Sequence, residues 1–100
     1  MFYSDDEFTG KSDTCMEIAT YPEKFSDDIV VEINTDSEDH CIIVLSNHLG
    51  RILRMMGVNV TQGKNQIHVD NVRSLEAGIY QISVKNKQSN LLYSSILTKF

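Results

Sequence analysis

The sequence predicts an all-β fold, a small antiparallel β-sandwich of the Ig-like kind with about seven short strands. Three observations carry that expectation. Apolar and polar residues alternate in runs of strand length, as in Ile79-Tyr80-Gln81-Ile82-Ser83-Val84-Lys85. Clusters of Gly, Asn, Asp and Ser punctuate the chain about every ten residues. Nowhere do apolar residues recur with the roughly 3.6-residue period of a helix over helical length.

One hundred residues make one domain with a single core. Apolar residues are 41% of the chain, which excludes a fully disordered protein. No stretch approaches the roughly 18 apolar residues of a membrane helix, so no membrane insertion is expected. Charge is uneven. Residues 1–40 hold 12 acidic and 2 basic side chains, residues 41–100 hold 2 and 7, and the net is −5. Residues 1–14 read as an acidic, disordered lead, either solvated or laid against a basic face, and residues 15–100 as the sandwich domain. The basic residues are scattered and no aromatic-rich motif accompanies them, so no nucleic-acid partner is expected. The amino terminus is acidic where an export signal is basic and then apolar. As written the chain reads as cytoplasmic, or as a fragment of a longer exported protein.

Taken in order, Cys15 to Tyr21 alternates as a first strand with Met16, Ile18 and Thr20 on one side, and Pro22 ends it or confines it to an edge. Glu23 to Asp27 is a polar turn around Phe25, which is expected to plug one end of the core. Asp28 to Asn34 points Ile29, Val31 and Ile33 one way. After the polar turn 35–39, His40 to Ser46 is apolar on both faces, as an interior strand is. Asn47-His48-Leu49-Gly50 is a tight turn. Arg51 to Met56 resumes with Ile52, Arg54 and Met56 opposite Leu53 and Met55, and Val58 to Thr61 is a further short piece. Gln62 to Asn65 reads as a hairpin-like turn before Gln66 to Asp70, where Ile67 and Val69 face inward. Val72 and Leu75 dip into the core from the next connection. Gly78, at a sharp bend, opens the strand that buries Tyr80, Ile82 and Val84, and the polar turn 86–90 leads to a last strand, Leu91 to Thr98.

Chemistry-bearing residues have plain structural readings. Asp36, Glu38, Asp39 and His40 lack the spacing and the central glycine of a calcium loop and read as a solvated turn. His40, His48 and His68 are far apart, and no Ser or Cys sits on a nucleophile turn. No catalytic residues, cofactor or metal are therefore expected, and the chain is not read as an enzyme. Cys15 and Cys41 form no metal or redox pattern and read as free thiols, the alternative being a pair in an oxidising compartment if their strands are neighbours. Asn59-Val60-Thr61 matches a glycosylation sequon but reads as ordinary strand. Met55-Met56 reads as core or edge packing.

Several motifs in order then carry a resemblance. Tyr21-Pro22 followed by Phe25-Ser26-Asp27, the turn Leu49-Gly50-Arg51, Val60 to Asn65, Leu75-Glu76-Ala77-Gly78-Ile79-Tyr80, and the closing Ser95-Ile96-Leu97-Thr98-Lys99-Phe100 span four-fifths of the chain. Residues 21–100 thereby resemble the type A C-terminal sorting domain of the type IX secretion system of Bacteroidetes. Glu23 and Lys24 stand where that family usually has Asn-Pro, and the chain ends in Phe100 where lysines are common. The resemblance implies a non-catalytic β-sandwich recognised by the secretion machinery as an export or cell-surface signal. Gly78, Tyr80 and the strand Ser95 to Lys99 are the elements expected to keep or present that signal. The alternative is a stand-alone protein-interaction module that has kept the sandwich and lost the sorting role. Either way the expected partner is a protein, and the chain is expected to be a monomer or a weak edge-strand dimer.

Overall fold

Alternating apolar residues give each strand one face to bury, and the chain resolves this by packing two sheets face to face. The computed structural model describes residues 16–69 and 71–100. The expected lead 1–14, and Cys15 as a possible partner for Cys41, lie outside the described residues. In chain order the strands are β1 (Met16–Tyr21), β2 (Lys24–Phe25), β3 (Val30–Thr35), β4 (Asp39–Asn47), β5 (Ile52–Val60), β6 (Gly63–His68), β7 (Gly78–Asn86) and β8 (Leu91–Lys99). One sheet has the order β1-β3-β6, the other β2-β8-β7-β4-β5. The expected sandwich is present.

The core lies between them. From the smaller sheet come Val31 and Ile33, from the larger Cys41, Ile43, Leu45, Val60, Ile82, Val84 and Leu97, all at most 1% exposed. Burying each Ile, Leu or Val side chain contributes roughly 1.5–3 kcal/mol against leaving it in water. Ile29, Val69 and Val72 seal the gap from the connecting segments, and Leu75 packs against them. β4, apolar on both faces, is an interior strand between β5 and β7.

Four details differ from the sequence reading. Among the described residues there are eight strands where about seven were expected, because Lys24–Phe25 inside the expected polar turn pairs with β8, and that pair is parallel. The two pieces 51–56 and 58–61 are one strand. Gly57 does not break it but makes room for the His40 ring, whose Nε2 would lie 3.1 Å from an added Cβ. A register shift in the β4–β5 pairing at Leu45/Ser46 breaks the alternation expected from 51 to 56, so that Leu53 joins Met56 against the core while Ile52 stays 52% exposed. The turn at Gln62 is not a hairpin. β5 belongs to the larger sheet, while β6 pairs with β3, so the chain crosses between sheets there.

Asn65 secures that crossing. Its Oδ1 accepts from the Thr61 N–H at 3.0 Å, and its Nδ2 donates to the carbonyls of Thr61, Gly63 and Ile33 at 2.9, 3.2 and 3.1 Å. Backbone groups leaving one sheet for another need such partners.

Candidate functional site

The register brings most of the motifs singled out in the sequence to one end of the larger sheet, while Val60 to Asn65 lies at the opposite end, where Val60 pairs with Asp39. Asn47 at the end of β4 lies opposite Tyr80, Gly78 opposite Lys99, and Lys24 opposite Thr98. The turn holding Leu49 and Gly50, the start of β7 and the end of β8 therefore share that end. The segment after Tyr21 and Pro22 joins them, because the Glu23 carbonyl accepts the Thr98 N–H at 2.9 Å and the Phe25 carbonyl accepts the Phe100 N–H at 3.0 Å. The Tyr21–Pro22 bond is cis.

Some of these residues hold the end together. Tyr80 is 6% exposed, and its hydroxyl donates to the Glu76 carbonyl at 2.6 Å. This tethers the Leu75-to-Gly78 loop to the strand that follows it, as a tyrosine corner does. The Tyr80 ring meets Phe25 edge-on, with centroids 6.0 Å apart, beside buried Leu97. Gly78 has φ +151° and Gly50 φ +84°, backbone conformations that a side chain rarely takes. Asn47 fixes the turn, its Oδ1 accepting from the N–H of Leu49 and of Arg51 at 2.9 and 3.0 Å.

Others face outward. Leu49 is 79% exposed, Ile79 54%, Ile96 55% and Phe100 71%. Ser95, Thr98 and Lys99 are half-buried. Between the β4–β5 turn and the loop before β7 lies a groove of about 310 Å³, lined by Asn47, His48, Leu53, Leu75, Gly78 and Tyr80 among others. Its lining mixes apolar residues such as Leu53 and Leu75 with polar ones such as Asn47 and His48.

Tyr21 faces away from this groove, on the outer face of the smaller sheet. Its hydroxyl donates to Glu32 Oε1 at 2.9 Å and accepts from Gln66 Nε2 at 3.1 Å, with Lys64 3.8 Å from the same carboxylate. The Tyr21 hydroxyl, then Gln66, holds the Glu32 carboxyl below its usual value, and the carboxylate in turn raises the Tyr21 phenol.

The residues weighed for chemistry are dispersed. His40 is the second residue of β4, with Nδ1 2.9 Å from Asn59 Oδ1, and His48 follows the far end of that strand. His68 ends β6 and pairs with Asp28 at 2.9 Å. Among the described residues no three His, Cys, Asp or Glu side chains are placed to hold a metal. Cys41 is a free, buried thiol, pushed up in pKa by burial and then by Asp39.

Sequence reasoning missed two contributors to this end, the backbone stitching by Glu23 and Phe25 and the Asn47 cap. The stitching left no signal, since it uses main-chain atoms. The cap did leave one. Asn86 repeats it in the β7–β8 turn, accepting from Gln88 and Asn90 N–H at 3.0 and 2.9 Å. Both turns close with the first residue's N–H on the fifth residue's carbonyl. Both also place their fourth residue, Gly50 or Ser89, at positive φ.

Comparison with known proteins adds a family and a fold. The family model for the secretion system C-terminal sorting domain matches residues 19–98. No curated protein matches the chain. Among solved structures, a β-glucosidase from Listeria innocua, in complex with isofagomine, is similar at TM-score 0.50 and 15% identity over 91% of this chain and 17% of the enzyme. A β-glucosidase from Kluyveromyces marxianus aligns at TM-score 0.43 and 14% identity, over 92% of this chain and 16% of its own. The chain thus spans about a sixth of those enzymes, and at such identity the first likeness speaks to the sandwich alone.

Proposed function

The chain belongs to the family of secretion system C-terminal sorting domains, and from that premise we propose that it acts as a non-catalytic export signal, read by a protein of the type IX secretion machinery at the end formed by the β4–β5 turn, the start of β7 and the end of β8. The observation that supports this reading is the convergence of the motifs. Pieces as distant in sequence as Lys24-Phe25, which follow Pro22, and Leu49-Gly50, Gly78-Tyr80 and Ser95-Lys99 meet at one end of one sheet. A recognition surface needs some residues that fix shape and others that make contact. Here Gly50, Gly78, Tyr80 and Leu97 fix the shape. Leu49, Ile96, Thr98, Lys99 and Phe100 are the contact residues.

The test is a secretion assay. Residues 16–100 are fused behind a signal peptide and a fluorescent reporter in a bacterium with a working type IX system. The expected result is reporter outside the cell, and its loss when residues 95–100 are deleted. Reporter held in the periplasm by a fusion whose domain resists protease, and is therefore folded, overturns the sorting role and leaves a protein-interaction module.

A further inference from the structure

The outer face of the larger sheet packs against no other described element. Register puts Val44 between Met55 and Ser83, Gln81 beside Ile96, and Ile79 beside Thr98. These rows turn away from the core residues Ile43, Leu45, Ile82 and Leu97. Met55, Ile79 and Ile96 are 62%, 54% and 55% exposed there. Apolar surface gathered on one face marks a contact site. Asp39, at the far corner, is the one acidic residue in the five strands of this sheet. Two lysines frame the face. Lys85 lies at the end next to the β7–β8 turn, and Lys24 at the other end beside Thr98, since its neighbour Phe25 turns inward. Among the described residues neither has an ion pair.

We propose that residues 1–14 of the same chain lie across this face as a cover. Complementarity selects that occupant. The segment carries Asp5, Asp6, Glu7 and Asp13 against a single Lys11, and it interleaves them with Phe2, Tyr3 and Phe8. Its point of entry agrees. Met16 lines a small cavity with Asn86 and Leu92, so the segment joins the sandwich at the corner that carries Lys85. Asp39 lines the same cavity, and like charge turns an acidic segment away from the end of the sandwich toward that lysine. Length suffices as well. Fourteen extended residues span roughly 45 Å, against roughly 10 Å to pass one sheet and roughly 30 Å along a nine-residue strand. Asp13 then lies by Lys85, Phe8 over Ile79 and Ile96, and Asp5, Asp6 and Glu7 by Lys24. Ile96 and Thr98 are contact residues of the proposed signal, so the cover masks that end until it is displaced. The masking rests on the sorting role. The docking does not, and its test reads docking alone.

The experiment uses the full chain with Cys15→Ser, leaving buried Cys41 as it is. Phe8→Cys is combined with Ile96→Cys in one protein and with Ala19→Cys in a second. Ala19 is exposed on the outer face of the smaller sheet and only eleven residues from Phe8, so a segment without a seat reaches it at least as readily. The rate of disulfide formation under mild oxidation reports effective concentration. It is expected to be about fivefold higher for the 8–96 pair than for the 8–19 pair, within monomers and independent of protein concentration. Adding Lys24→Glu and Lys85→Glu is expected to slow the 8–96 closure about threefold, as is raised salt. Circular dichroism checks that each variant is folded, and Ile79→Cys replaces Ile96→Cys if that variant is not. Closure at position 19 as fast as at 96 overturns the proposal, and so does a rate indifferent to both lysines. Disulfides between chains in place of within one give the face to a second copy and overturn it as well.

Discussion

At the scale of single residues, the two Asn-capped turns make a controlled comparison. They share hydrogen bonds and backbone path, yet the left-handed fourth position is Gly50 in one and Ser89, at φ +68°, in the other. A left-handed conformation costs a residue with a Cβ roughly 1 kcal/mol that glycine does not incur. Ser89→Gly is therefore expected to stabilise the domain by about 1 kcal/mol, seen as a Tm several degrees higher. The Glu32 carboxyl gives a pH prediction with a definite sign. Its folded-state value lies below the usual 4.5, chiefly through the Tyr21 hydroxyl. The stability this contributes is present above pH 4.5 and is lost as pH falls from there through the folded value. Tyr21→Phe is accordingly expected to flatten the decline in stability below pH 4.5, in chemical denaturation followed at stepped pH. An equal decline in both proteins would remove the hydroxyl as its cause.

At the scale of elements, most strands were legible because alternation is a property of the chain itself. Phe25 as a plug and β4 as an interior strand were both readable from their side chains. The crossing from β5 to β6 was not. A turn sequence such as Gln62-Gly63-Lys64-Asn65 reports that the chain bends, but not which backbone will receive the next strand's hydrogen bonds. The receiving strand is β3, about thirty residues earlier in the chain. Asn65 is what makes the crossing unambiguous, since its amide serves Thr61, Gly63 and Ile33 at once. Asn65→Ala strips these groups of their partner together. It is expected to cost about 2 kcal/mol, more than one ordinary hydrogen bond, measured as a lower urea midpoint at unchanged m-value.

At the scale of the whole molecule, the candidate site is an end and not a pocket. Its parts come from the first, middle and last thirds of the chain, so deleting residues 95–100 removes a contact strand and core residue Leu97 together. The surface alone is better tested by Leu49, which is 79% exposed at the tip of its turn. Leu49→Ser is expected to change stability by less than about 0.5 kcal/mol while lowering secretion of the reporter fusion. Full secretion with unchanged stability would take this turn out of the recognised surface. The motifs were legible in the sequence because each is a local shape, a bend or a short strand. Their meeting was not, because it depends on pairings such as Lys24 with Thr98, across most of the chain's length.

The sequence by itself determined the all-β class, the identity of most core residues and the positions of the bends, since side-chain alternation and turn chemistry act over a few neighbouring residues. Only the tertiary structure decided sheet membership, the parallel clamp of β2 on β8 and the gathering of most of the motifs at one end. Those follow from backbone hydrogen bonds between distant segments. Every residue but proline offers the same N–H and C=O, so the side chains do not name the partner in advance.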